Sequence, residues 1–130
     1  MADPTPADPA LTHAAPIPFD PLGKLEPGVT LLEASAGTGK TYSITSLFIR
    51  LVIEQDIPVD QILAVTFTQA ATAELTTRIR KRLGEAHRVL HDNARRDTIE
   101  SDDIVLRNLA ARATSADAVD WGERARTAVE

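Results

Sequence analysis

From Lys40 onward the apolar positions Ile44, Leu47, Phe48, Leu51 and Val52 recur at i, i+3, i+4, i+7 and i+8, which predicts a helix with one buried face. Residues 56–59 break it with turn-forming Asp56 and Pro58. Two short apolar runs flank the helix. Val29-Thr30-Leu31-Leu32-Glu33 precedes it, and Ile62-Leu63-Ala64-Val65-Thr66-Phe67 follows it. Neither alternates with polar residues and both are rich in strand formers, so both predict strands of a buried parallel sheet. Strand, helix, strand in that order is the right-handed parallel unit.

A second helical pattern covers about residues 69–91, with Ala71, Leu75, Ile79, Leu83 and Leu90 inward and the arginines outward, weakened in its middle by Gly84. Ser101-Asp102-Asp103 then resembles an N-cap leading into Val105, Leu109 and Ala113. A last helix is expected over residues 117–129. Residues 1–18 are dominated by Pro, Ala and Asp, a composition with little to bury, and are expected to form a disordered tail. The expected organisation is therefore a tail over 1–18, a partial α/β domain over 19–96 and a helical segment over 97–130.

Composition changes this picture in three places. A chain of 130 residues suffices for one modest core, but is short for a motor that couples hydrolysis to movement. The absence of cysteine excludes disulfides, thiolate metal sites and cysteine nucleophiles. The net charge of −5 gives no global reason to expect a nucleic acid, yet residues 69–96 hold 7 basic and 3 acidic side chains, so an anionic polymer should meet this stretch first. There is neither a signal-like nor a membrane-spanning apolar run, which makes the cytoplasm the simplest location.

The chemistry sits between the first strand and the first helix. Ala34-Ser35-Ala36-Gly37-Thr38-Gly39-Lys40-Thr41 fits the phosphate-loop pattern G-x-x-x-x-G-K-[ST] with alanine at its first position. Small residues let successive backbone N–H groups curl around an anion, and the helix that opens on the loop adds its positive end. Lys40 would reach the terminal phosphates of a nucleoside triphosphate, and the Thr41 hydroxyl is the expected Mg²⁺ ligand. Alanine at position 34 is tolerable if its backbone is not left-handed.

At the end of the second apolar run stands Thr66-Phe67-Thr68-Gln69-Ala70-Ala71-Thr72-Ala73-Glu74-Leu75. With this segment the chain resembles superfamily-one DNA helicases of the UvrD type, and within them the RecB-type beta subunits of exodeoxyribonuclease V, over about residues 19–83. The resemblance implies ATP and Mg²⁺ as cofactors and a RecA-like P-loop NTPase fold. It implies single-stranded or end-opened duplex DNA as substrate, RecC-like and RecD-like subunits as partners, and no membrane. It also places Thr66 and Thr68 near phosphates and Phe67 near a base, where stacking on an aromatic face is sequence-tolerant. The other reading of Phe67 is a core residue ending a buried strand. Arg78, Arg80, Lys81 and Arg82 could track a phosphate backbone or could simply be a solvated face, with Glu74 pairing to Arg78 at i, i+4.

The expected fold class is accordingly α/β: a truncated P-loop NTPase with a partial parallel sheet and a C-terminal helical segment. An acidic pair following an apolar strand, and arginines from a second lobe to stabilise transition-state charge, are needed for hydrolysis, and the sequence holds neither. Asp102-Asp103 follows polar residues and reads as a helix cap. Two other classes fit the same loop. A small phosphotransferase would need an arginine lid, for which Arg95, Arg96, Arg107 and Arg112 are the candidates, and a non-enzymatic fragment could bind nucleotide alone.

Overall fold

The computed structural model describes residues 15, 17–35, 37, 39–95 and 101–130, and the expected tail over 1–18 falls largely outside them. Among the described residues four helices carry the fold: α1, Lys40–Ile53; α2, Gln69–Ala94; α3, Ile104–Arg112; and α4, Ser115–Thr127. A single turn of 3₁₀ helix, Val59–Gln61, lies between α1 and α2.

Among the described residues there is no β-strand, and this corrects the expected α/β class with its partial parallel sheet. Residues 29–33 and 62–66 form neither helix nor strand and share no ladder hydrogen bonds. Leu31, Leu63 and Val65 are 80%, 88% and 81% exposed, and Val29 and Phe67 are fully so. A strand that is apolar on both faces is stable only with neighbours on its edges and layers on its faces. Two such segments cannot supply that for each other, so local strand preference is overruled. The reading of Phe67 as a core residue falls with the sheet.

What does form is a helical core organised on α2. At 1.5 Å per residue this 26-residue helix is about 39 Å long. Most of its first ten residues are exposed, Ala71 among them although spacing placed it inward, and Leu75 is half-buried against the core. Ile79, Leu83, Ala86, Val89 and Leu90 farther along are buried. Gly84 lies on the exposed side with open space around it, so it interrupts no packing. Against this half pack Phe48, Ile49, Val52 and Ile53 of α1, Val105, Leu106 and Leu109 of α3, and Ala125 of α4. The α4 stripe is small: Ala118, Gly122 and Ala125 are all buried, which lets its backbone come close to α2. There His87 Nδ1 lies 3.0 Å from the Gly122 carbonyl oxygen. Phe48 and Val52 are buried as spacing predicted, but the buried face of α1 is rotated from the expected one, because Thr45, Ser46, Ile49 and Ile53 join them while Ile44 is exposed and Leu47 and Leu51 are half-buried.

Polar anchors fix the ends. Arg50, buried on α1, makes two bonds to the Glu54 carboxylate, at 2.6 and 3.1 Å. Its Nη1 donates to the carbonyls of Pro21 and Gly23 at 2.9 and 2.7 Å. Arg124 of α4 donates to the Ile53 carbonyl at 2.8 Å and so satisfies one of the free acceptors at the end of α1. Asp103 caps α3 through Val105 N and Leu106 N, as the sequence suggested.

Helix α4 opens on a capping box. Asp117 N donates to the Thr114 hydroxyl oxygen, while the Thr114 amide and hydroxyl donate to the Asp117 carboxylate at 3.0 and 2.7 Å. The Thr114 hydroxyl first, then its amide, holds the Asp117 carboxyl below the usual carboxylate range. A depressed folded-state pKa contributes stability that is present above the unfolded value and lost as pH falls through the folded one. Thr114→Ala is therefore expected to lower the urea midpoint at neutral pH and to flatten its decline below about pH 4. A mutant whose acid limb superimposes on that of the parent would exclude this linkage.

Candidate functional site

The segment that matched a phosphate loop meets the N-terminus of α1. Lys40 and Thr41 are the first two residues of that helix, and Gly39 is its cap, left-handed at φ 98° and ψ 14°. Gly37 is also left-handed, at φ 78°. Both glycines stand in open space, so backbone conformation rather than crowding requires glycine there. Among the described residues Asp56 is the one non-glycine residue with positive φ, so the backbone at Ala34 is one that alanine adopts freely. Ser35 is exposed, and Ala36 and Thr38 lie outside the described residues.

Gly39, the N-cap of α1, offers no side chain to cap it. A helix start with a glycine cap can turn its first amides toward an anion, with the positive end of the helix behind them. Lys40 is exposed with no ion-pair partner among the described residues, and Thr41 beside it is half-buried. A glycine-capped helix start, an exposed cation and a hydroxyl at adjoining positions are the features a polyphosphate with its Mg²⁺ would use.

The second motif forms a separate exposed surface. Thr68 is the N-cap of α2, its hydroxyl oxygen accepting from Ala71 N at 3.1 Å. Thr66 Oγ1 lies 2.6 Å from Thr72 Oγ1 and donates to the Thr68 carbonyl at 3.1 Å. Between them Phe67 projects wholly into solvent. Arg78 is exposed but paired, with Nε and Nη2 donating to Glu74 Oε1 at 2.9 and 2.6 Å. Arg80 and Lys81 are exposed.

Arg82 departs from the expected basic face, for it is buried, 9% exposed. Its Nη1 donates to Thr45 Oγ1 at 2.7 Å, Ser46 Oγ at 2.9 Å and the Tyr42 carbonyl at 3.3 Å. Its Nη2 lies 2.6 Å from Asp103 Oδ2 as an ion pair without hydrogen-bond alignment, and Nε has no partner. The guanidinium also sits 4.7 Å from the centre of the Tyr42 ring. Burial, and then the Asp103 charge, push the Tyr42 phenol above its ordinary value. Helical spacing could have revealed this, because Ile79, Arg82, Ala86 and Val89 share one face of α2.

The phosphotransferase candidates do not gather. Arg95 caps the end of α2, Arg107 reaches the Ser101 carbonyl, Arg112 lies 3.4 Å from Glu54, and Arg96 is outside the described residues. Among the described residues no helix is long and apolar enough to cross a membrane, and no cluster of three or more His, Asp or Glu residues forms a metal site.

Comparison with known proteins now adds to this geometry. The chain is 44% identical over 80 residues to the RecBCD enzyme subunit RecB of Haemophilus influenzae, which takes in 56% of this chain and 7% of that protein. It is 46% identical over 75 residues to the RecB subunit of Escherichia coli, covering 52% and 6% of the two chains. For the RecB subunit of Mycobacterium tuberculosis the identity is 42% over 78 residues, covering 58% and 7%. The chain thus matches only a small part of the length of these relatives. No solved structure matches it. The model of the UvrD/REP helicase N-terminal domain matches residues 22–122, and the chain therefore belongs to the UvrD/REP helicase family.

Proposed function

We propose that this chain is the ATP-binding front of a RecB-like, ATP-dependent DNA helicase subunit that acts in the cytoplasm in double-strand break repair, and that by itself it binds nucleotide without unwinding DNA. The observation that carries the reading is the glycine-capped N-terminus of α1, opened by left-handed Gly37 and Gly39 and occupied by Lys40 and Thr41. Residues 34–41 would hold the triphosphate through backbone amides, Lys40 would bind its terminal phosphates and Thr41 would ligate Mg²⁺. When bound, the triphosphate and its metal supply the phosphoryl group whose transfer drives such motors.

Exposed Phe67 between Thr66 and Thr68 supports a single-stranded DNA contact, and Arg78 would exchange its Glu74 partner for a backbone phosphate. RecC-like and RecD-like subunits are the partners this reading implies.

Titration of the chain with ATP and Mg²⁺ in a calorimeter tests it. Saturable binding is expected, and Lys40→Ala should weaken it roughly ten- to a hundredfold, the effect of losing charge-assisted bonds to phosphate. Lys40 is exposed, so the variant should unfold at the parent's temperature. Absence of binding by the parent chain, or an unaltered affinity in the variant, would refute the reading.

A further inference from the structure

The first two turns of α1 are held from behind by one buried cation. Every hydrogen bond that Arg82 makes ends on residues 42–46, directly beyond Lys40 and Thr41. The contacts continue forward. Thr45 Oγ1, which accepts from Arg82, donates to the Thr41 carbonyl at 2.9 Å or the Tyr42 carbonyl at 3.1 Å. Ser46 Oγ, which also accepts from Arg82, donates to the Tyr42 carbonyl at 2.7 Å. A chain of two hydrogen bonds therefore runs from the guanidinium to the main chain of Thr41.

The same guanidinium is clamped from α3. Asp103 holds it with Oδ2, while Oδ1 caps α3 and receives the Tyr42 hydroxyl at 3.3 Å. Three helices meet at one charge: α1 at the start, α2 in the middle and α3 at the cap. Core stability alone gives little reason for this arrangement, because apolar residues of like volume hold such a position as well as a buried ion pair. Arg82 even leaves Nε unpaired. What an arginine provides and an apolar side chain does not is a planar fork that reads several acceptors at once.

We propose that Arg82, clamped by Asp103, is a positioning residue that sets Thr41 and Lys40 for nucleotide, and that it ties the phosphate loop to the helix carrying the exposed Thr66-Phe67-Thr68 segment. The proposal rests on the nucleotide-binding reading above. Thr68 caps the same α2 that holds Arg82 fourteen residues later, about 21 Å along one rigid helix. A tilt of α2 against α1 must break or remake the Thr45 and Ser46 bonds, so a ligand on the exposed end of α2 and a nucleotide at α1 share one set of contacts.

The test compares Arg82→Lys and Asp103→Asn with the parent chain. Val89→Ala, a core substitution outside the network, serves as a destabilised reference, and Arg88→Gln on the exposed side as a neutral one. ATP with Mg²⁺ is titrated at a temperature where all are folded, and hydrogen exchange is followed at residues 41–43 without nucleotide. Both network variants are expected to bind about tenfold more weakly, within the usual range of coupling between sites. They should also exchange faster at residues 41–43. Val89→Ala and Arg88→Gln should bind like the parent. Asparagine keeps the cap of α3, so the Asp103 variant isolates the charge. Parental affinity in both network variants, or an equal loss in Val89→Ala, would overturn the positioning role while leaving nucleotide binding intact. A parent chain that binds no ATP would overturn both.

Discussion

Replacing Arg50 with alanine is expected to lower the stability of the chain by about 3–5 kcal/mol, the usual cost of breaking a buried ion pair from one side. Arg50 and Glu54 are 4% and 8% exposed at their side chains, so the carboxylate left behind would face a site emptied of its main cation. Arg112, 3.4 Å away and half exposed, can answer only part of that charge. The carbonyls of Pro21 and Gly23 lose their donor in the same step, which frees the segment before the phosphate loop. Against a typical total of about 5–15 kcal/mol, such a loss should bring unfolding into the range of mild heating. Urea denaturation of Arg50→Ala measures it. The double variant Arg50→Met with Glu54→Leu should recover much of the loss, because no buried charge then remains. If the single variant melts like the parent, the pair is not part of the core.

Ile49→Ala is the second large effect, expected at about 2–5 kcal/mol. Ile49 is 0% exposed and lies in the apolar cluster that joins α1 to α2, α3 and α4. The substitution adds a cavity term to the lost transfer energy, since helices held by Arg50 and Arg124 at their ends have little freedom to collapse around the gap. Ile44→Ala, on the same helix but exposed, should cost far less, and the ratio of the two urea midpoints checks the rotated face. Equal costs at the two positions would restore the face read from spacing alone.

That rotation shows how far spacing reaches. The start of α1 at Lys40, the cap at Asp103 and the extent of α2 were legible because glycine, a side-chain oxygen before an apolar run, and sustained 3.6-residue periodicity act within one or two turns. The family was legible as well, from two local segments around Lys40 and Phe67. Which side of α1 faces inward was not, because its apolar arc is wide and the packing of α2 and α4 selects among nearly equivalent orientations.

The amino-acid sequence by itself determined the helices, their caps and the pairing of Glu74 with Arg78, all of which depend on neighbours a few residues away. Tertiary structure decided the rest. Residues 29–33 and 62–66 have the composition of strands and form none, because a sheet depends on partners that strand preference cannot provide. Arg82 reads as one more surface cation beside Arg80 and Lys81, yet it is buried beneath α1 with Asp103 as its counter-charge. The residues that meet there are 21 to 61 positions apart in the chain, and only the crossing of α1, α2 and α3 makes them neighbours.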